Sequence, residues 1–213
     1  MRRIYSLMGA AVLLGCSDAS STSTTAPRLT GAVVTGEASH DRQGFGGDHG
    51  EKRLILTQLS SDEEPLITTV TPNITVSSPA HGTAHVRLAK DGQSLDFVLV
   101  VNCISNVVQA HIHMAPKGVN GGIVAWLFPS VTATQALVGP TGEHHGLLAQ
   151  GTITAADLRG ALAGQPLSAL VAAIAAGNTY VNVHTNDGVA PTNTGPGDYP
   201  GGEVRGQLDR NGH

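Results

Sequence analysis

The sequence predicts a mostly β protein: an immunoglobulin-like antiparallel β-sandwich with one or two short helices inserted before the last strands. Three observations support this fold class. The chain of 213 residues is rich in turn-forming residues, with 27 glycines and 11 prolines. Charged residues make up only 13% of the chain and aromatic residues only 3%. Apolar residues occur in short alternating segments, which are typical of strands that bury one face.

Strand-like alternation recurs through the first two-thirds of the chain. In one segment, Leu95, Phe97 and Leu99 fall on the same face. Asp91-Gly92 stands just before that segment, where a hairpin turn is expected. The predicted strands in this part are Arg53–Leu59, Gly82–Ala89, Ser94–Val101, Val107–Met114, Gly122–Phe128 and Leu148–Ile153.

The periodicity then changes to that of helices. Thr154–Leu158 begins with an N-cap residue followed by an acid in the first turn, so a short helix is expected there. Pro166–Ala176 carries apolar residues at helical spacing, and Gly177 is suited to end that helix. Strand signals return at Asn178–Thr185 and Glu203–Asp209, which a loop rich in glycine, proline and asparagine separates.

The N-terminus has the pattern of an export signal. The MRR start is positively charged, and the apolar segment Leu7–Leu14 is too short to span a bilayer, which needs about 20 apolar residues. The LLGC sequence that ends at Cys16 resembles the lipobox of bacterial lipoproteins, which implies lipid on Cys16. An ordinary secretory signal and a buried N-terminal strand are the alternatives. The lipoprotein interpretation predicts an exported protein anchored in the cell envelope, at the outer membrane or cell surface.

These patterns divide the chain into five parts. Residues 1–15 are the expected signal peptide, and residues 16–27 are a lipid-bearing cysteine with a flexible Ser/Thr-rich tether. Residues 28–53 are a variable N-terminal segment. Residues 54–209 form the β domain, and residues 210–213 are a tail.

Charge and cysteine content exclude some classes of function. The formal net charge of −4 at pH 7 argues against nucleic acid as a partner, because nucleic acid selects for basic surfaces. Two cysteines are too few for a disulfide-rich secreted framework. If Cys16 carries lipid, Cys103 has no partner in the chain. The apolar neighbours of Cys103 then predict a small buried side chain rather than a reactive thiol.

Four ordered blocks of the sequence resemble the chordin-type (CHRD) domain family. The blocks are Val108–Val124, Gly151–Leu158, Gly177–Thr185 and Gly202–Leu208. The resemblance spans Leu54 to Leu208 and implies a β domain of the CHRD type in a bacterial lipoprotein. It departs from the family at Glu64–Ile67, where the family has a Glu-Val-Pro-Pro-like turn. The growth-factor role of animal chordin is not implied, because similarity of fold does not carry function.

Three histidines within these blocks are candidate metal ligands. Alternate residues of a strand share a face, so His111 and His113 point the same way, with Cα atoms about 7 Å apart. His184 lies on the strand of the third block, and the three imidazoles would converge if the two strands were neighbours. Three imidazoles suit zinc or copper. Asn120 and Asn182 are expected to support such a cluster through hydrogen bonds.

The same histidines also admit a structural interpretation. Imidazoles hydrogen-bonded to loop carbonyls would fix strand register without any chemistry. The first hypothesis for function is therefore a non-enzymatic binding or structural module on a lipid-tethered domain, with an unknown protein or surface partner. The alternative is a copper or zinc protein that uses the three histidines, with redox activity included. No catalytic residue is predicted, because the sequence has no phosphate loop, nucleophile elbow or CxxC motif.

Structural roles are predicted for two other groups of residues. Glu203 and Arg205 alternate on the last strand and share a face, and they are expected to form a cross-strand charge pair or a charged rim. Trp126 shares a strand face with Val124 and Phe128, and it is therefore expected in the apolar core.

Overall fold

Eight strands form one antiparallel sheet in the computed structural model, which describes residues 54–69, 72–137 and 141–209. The strands are β1 (Leu54–Ser60), β2 (His81–Leu88), β3 (Leu95–Ser105), β4 (Val107–Met114), β5 (Gly122–Phe128), β6 (Glu143–Ile153), β7 (Thr179–Thr185) and β8 (Val204–Leu208). The predictions for the signal peptide, Cys16, the tether, residues 28–53 and the tail lie outside the described residues.

The strands are arranged in the order β5-β4-β7-β8-β1-β2-β3-β6. β8 and β1 are joined by a single residue pair, Arg205 and Ser60, and the sheet turns over at this narrow connection. One layer of the resulting sandwich is β5-β4-β7-β8, and the other is β1-β2-β3-β6. The edge strands β5 and β6 approach one another, so the sandwich is nearly closed. The predicted antiparallel β-sandwich is confirmed.

The apolar core lies between the two layers and is formed by alternate residues of the strands. Leu99 of β3, Ile112 of β4 and Val183 of β7 are completely buried there. Burial of each such side chain contributes about 1.5–3 kcal/mol to the stability of the fold. The core therefore fixes which face of β4 and β7 points inward, and with it the direction of every other side chain on those strands.

The helical insert is found where the sequence predicts it. An α-helix, α1, covers Leu167–Ala175, and Gly177 follows it with φ +66, a conformation that suits glycine at a helix end. The earlier segment forms a 3-10 turn, Ala155–Asp157, in which the Asp157 carboxylate accepts hydrogen bonds from the backbone N–H and hydroxyl of Thr154. Among the helices of the described residues, none has the length and apolar character needed to cross a membrane.

β3 and β6 are longer than the sequence patterns predict. β6 begins at Glu143 rather than Leu148, and β3 continues to Ser105. The extra residues pair with each other through shifts in register, with Gly146 at φ +98 and Cys103 at φ +54. Such irregularities remove the simple alternation by which a strand is recognised in a sequence.

Cys103 differs from its predicted role. It is half-buried and disulfide-bonded, and it is the one cysteine within the residues that the structure describes. The interpretation of Cys103 as an isolated, buried apolar side chain is therefore wrong.

The long β7–β8 loop is anchored by the buried carboxylate of Glu203. Its two oxygens accept hydrogen bonds from the hydroxyls of Ser78 and Thr185 and from the backbone N–H of Gly197. Arg205 is also buried but binds other partners, the carbonyls of Pro116 and Val119. The prediction of a cross-strand charge pair or a charged rim is therefore wrong: the two side chains are buried beneath loops and hold separate segments.

The substitution Glu203→Gln is expected to destabilise the fold by about 2–4 kcal/mol, because it replaces a charged acceptor with an amide beside three donors. The free energy of unfolding in urea measures this loss. Glu63→Gln is the matched control, because Glu63 forms an exposed ion pair with Lys117 that contributes less than about 1 kcal/mol. Equal effects of the two substitutions would contradict the anchoring role of Glu203.

Candidate metal centre

β4 and β7 carry polar side chains on the face that points away from the core. The two strands are neighbours, with His111 opposite Asn182 and His113 opposite Tyr180. His184 lies two residues beyond Asn182 on the same face of β7. The condition set by the sequence, that the two histidine-bearing strands lie side by side, is met.

Loops cover this polar face and remove it from solvent. The exposed fractions of His111, His113 and His184 are 0%, 7% and 5%. The β4–β5 loop brings the carbonyl of Gly121 to 2.9 Å from His113 Nδ1. The β7–β8 loop brings the carbonyl of Pro200 to 2.9 Å from His184 Nδ1. Each loop therefore holds one imidazole in a fixed orientation.

The three imidazoles form one cluster. Each residue offers one ring nitrogen that lies within 4.8 Å of the nitrogens offered by the other two. The closest approach is 3.2 Å, between His111 Nδ1 and His184 Nε2. The ring centroids are 5.0 to 5.6 Å apart.

The hydrogen bonds assign the tautomers of the histidines. Carbonyl oxygens only accept, so the Nδ1 atoms of His113 and His184 carry the protons and their Nε2 atoms carry lone pairs. His111 then donates its Nδ1 proton to the lone pair of His184 Nε2. The Nε2 atoms of His111 and His113 are buried without a hydrogen-bond partner.

All three histidines are neutral at pH 7. Burial, followed by the neighbouring histidines, lowers the pKa of His111 to about 2. Burial, followed by His113, lowers the pKa of His184 to about 4. Burial also lowers the pKa of His113, and the charge of Arg205 lowers it further. Neutral imidazoles are the form in which histidine binds metal ions.

Aromatic rings form part of the walls of the cluster. Trp126, the only tryptophan of the chain, lies edge-on to His111 with ring centroids 4.2 Å apart. Tyr180 stacks on His113 at 4.9 Å, and the guanidinium of Arg205 lies 3.4 Å from the centre of the Tyr180 ring. Trp126 is buried as predicted, but it packs on the histidine side of the sheet rather than among the core residues.

A model of the CHRD domain family matches residues 57–208. The chain belongs to the CHRD domain family. The matched region contains all three histidines, Tyr180 and Arg205, while Cys16 lies outside it. No curated protein matches the chain, and no solved structure matches it either.

Asn182 is one of the two asparagines expected to support the cluster, and it is buried beside the cluster in the CHRD domain. The Asn182 side chain lies beside the carboxyl group of Glu64, which belongs to the segment after β1, and Asn182 Oδ1 and Glu64 Oε1 are both buried without a hydrogen-bond partner. Gly202 permits this contact, because a Cβ atom there would lie 2.4 Å from Asn182 Oδ1 and 2.6 Å from Glu64 Oε1. Burial raises the pKa of Glu64 to about 8, against the opposing effect of Arg205.

Asn120, the other asparagine, does not lie in the buried cluster. It is exposed and lines a cavity of about 230 Å³ together with Glu64 and Gly202. The residue that supports His113 from this loop is its neighbour Gly121, through a backbone carbonyl. A backbone acceptor leaves no mark in the sequence, so the residue type could not have identified it.

The cluster fits a metal ion with a small adjustment. Metal–nitrogen bonds of about 2.0–2.1 Å place two nitrogens of one ion no more than about 4.2 Å apart. The ring nitrogens that the three histidines offer lie within 4.8 Å of one another, so at least one ring has to move inward by several tenths of an ångström for all three to reach one ion. Nδ1–H groups bound to backbone carbonyls are the usual support of metal-ligating histidines.

Acid is expected to destabilise the metal-free domain. Between pH 4 and 6.5 His111 and His184 stay neutral in the folded state, because their pKa values are about 2 and about 4, and protonate in the unfolded state. Each is expected to remove about 1.4 kcal/mol from the free energy of unfolding per pH unit as the pH falls through this range. Glu64 has the opposite effect. Its pKa is raised to about 8 in the folded state, so between pH 4.5 and 8 it is protonated when folded and ionises on unfolding, and a fall in pH through this range increases the free energy of unfolding.

The measurement is urea unfolding with chelator present at pH 7 and pH 5, on the wild type and on His184→Gln. The variant should show a shallower dependence on pH, because one of the titrating groups is gone. His85→Gln, which changes an exposed histidine of β2, should retain the wild-type dependence. The assignment of His184 as a buried neutral group would fail if both variants had the wild-type slope.

Proposed function

We propose that this chain is an exported cell-envelope protein whose CHRD domain binds one transition-metal ion, zinc or copper, through His111, His113 and His184. The protein acts by binding and does not turn over a substrate. The observation that carries the proposal is the convergence of three neutral, buried imidazoles whose ring nitrogens lie within 4.8 Å of one another.

The unpartnered nitrogens favour a metal site over a purely structural cluster. A network that only braces the fold is expected to satisfy its buried polar atoms. Here the Nε2 atoms of His111 and His113 have no partner, and a buried acceptor left unpaired costs about 1–3 kcal/mol. A metal ion would engage such lone pairs, because a ligating imidazole presents an unprotonated nitrogen.

The residues that would hold the ion already have fixed orientations. The carbonyls of Gly121 and Pro200 hold His113 and His184, so that little side-chain freedom is lost on binding. Trp126 and Tyr180 shield the cluster from water. An ion in this site would be retained tightly, and its close cover favours storage, transfer or structural use over catalysis on a bound substrate.

The proposal of export rests on the N-terminal sequence and on Cys103. A disulfide at Cys103 fits an oxidising compartment outside the cytoplasm. Lipid on Cys16 would hold the domain at a membrane, with two or more acyl chains needed for stable anchoring. The chain has only two cysteines and Cys103 is disulfide-bonded, so lipid on Cys16 requires the disulfide of Cys103 to join a second molecule.

One equivalent of metal is expected in the purified full chain. The protein is produced without a histidine tag, incubated with zinc or copper, desalted extensively and analysed by elemental mass spectrometry. His184→Gln should lose most of the bound metal, since one of three ligands is removed. The fluorescence of Trp126, the only tryptophan, should change on binding, because its ring lies 4.2 Å from His111.

The matched control is His85→Gln, which removes an exposed histidine and should retain the full equivalent of metal. Retention of metal by His184→Gln at the wild-type level would place the ion elsewhere. No metal retained by the wild type with either ion would overturn the proposal, and the histidines would then be structural braces.

Lipid attachment has a separate test in the intact mass of the protein extracted from membranes. A lipoprotein should have the mass of residues 16–213 plus the lipid, with Cys103 in a disulfide bond to a second molecule. Cys16→Ser should abolish membrane attachment, while Cys103→Ser should preserve it. An unlipidated mass with both cysteines oxidised would contradict the lipoprotein assignment and favour an ordinary secretory signal.

A further inference from the structure

We propose that the centre selects monovalent copper, Cu(I), over the divalent ions Zn(II) and Cu(II). This inference rests on the proposed function, since it requires that the histidine cluster binds a metal. It goes further by naming the charge state of the ion, and the observations that carry it are the charges and the ring walls around the cluster.

The ligands supply no negative charge. His111, His113 and His184 are neutral imidazoles, and their supports are the backbone carbonyls of Gly121 and Pro200. Among the described residues, the charged side chain that acts on these neutral imidazoles is the cationic Arg205, which faces His113. A divalent ion would therefore keep its full double charge inside the protein.

The nearest groups do not correct this imbalance. Arg205 is buried, and its guanidinium lies against the ring of Tyr180, which in turn stacks on His113. Glu64 is the carboxyl group that faces Arg205 and Asn182, but burial keeps it protonated at pH 7. Of these two side chains, the carboxyl group of Glu64 is neutral and the guanidinium of Arg205 keeps its positive charge.

Burial makes the charge of the ion decisive. The cost of moving an ion from water into a protein interior rises with the square of its charge, so it is about four times larger for a dication than for a monovalent ion of the same size. The ligating side chains have exposed fractions of 7% or less, so solvent does not screen this difference. Cu(I) is a monovalent ion that binds imidazole nitrogen strongly.

The number of ligands leads to the same ion. Zn(II) in proteins takes four ligands, and where the protein supplies three, the fourth position holds water or substrate. Here three nitrogens converge, and the neighbouring space contains the rings of Trp126 and Tyr180. Cu(I) is satisfied by three ligands, so the rings that border the cluster do not deprive it of a fourth one.

The test compares the affinities of the two ions on one protein. The full chain carrying Cys16→Ser and Cys103→Ser is used, so that no thiol competes for copper. Cu(I) is kept reduced with ascorbate and titrated in competition with bicinchoninate, and Zn(II) is titrated in competition with a chromophoric zinc chelator. The expected dissociation constant for Cu(I) is at least roughly 1,000-fold below that for Zn(II), or about 4 kcal/mol.

Arg205→Gln tests the physical cause. Removal of the buried positive charge should improve Zn(II) binding more than Cu(I) binding. The ratio of the Zn(II) and Cu(I) dissociation constants, called the gap below, should fall by roughly tenfold, or about 1.4 kcal/mol. Arg87→Gln, at an exposed ion pair on β2, is the matched control and should leave the gap unchanged. Glu64→Gln should also leave it unchanged, because it replaces one neutral group with another.

The outcomes separate this inference from the proposed function. Zn(II) binding as tightly as Cu(I), with both lost in His184→Gln, would overturn the selection of monovalent copper and leave the metal site standing. A loss of Zn(II) affinity in Glu64→Gln would show that Glu64 ionises to balance a dication, which also contradicts the inference. Failure of both ions to bind would overturn the metal site itself. If Arg205→Gln does not fold, the comparison of the two ions on the cysteine-free chain decides the question.

Discussion

The centre depends on one constraint: β4 and β7 are buried on both faces. Their inward residues, such as Ile112 and Val183, belong to the apolar core, so the opposite residues are fixed in direction by the same packing. Loops then cover the second face. Polar side chains in that position must find partners within the protein, and the carbonyls of Gly121 and Pro200 provide them for two of the histidines.

A second consequence of this constraint is the chain of contacts that runs across β4, β7 and β8. His113, Tyr180 and Arg205 stack in sequence, and Arg205 donates hydrogen bonds to Pro116 and Val119 of the β4–β5 loop. The guanidinium of Arg205 thereby connects β8 to the β4–β5 loop, which also orients His113. One buried cation both organises the cover of the cluster and sets the electrostatic potential within it.

The sequence predicts the part of this arrangement that local periodicity controls. His111 and His113 share a face because strands repeat every two residues, and β4 and β5 have the predicted bounds. The adjacency of β4 and β7 depends on pairing between segments distant in the chain, which periodicity alone does not specify. Glu64 escaped prediction because it lies outside the strands, and Arg205 because a pattern of alternation does not show whether a loop covers the face. Cys103 was misjudged because its partner and its unusual backbone conformation are not local features.

The ligands of the cluster come from parts of the chain that meet only in the finished fold. His111 and His184 are separated by 73 positions in the sequence. An unfolded chain presents at most the His111–His113 pair, so the complete set of ligands does not exist until β4 and β7 have paired. Under the proposed export and metal binding, the metal supply of the compartment in which folding ends would determine which ion is bound, not that of the compartment in which the chain is synthesised.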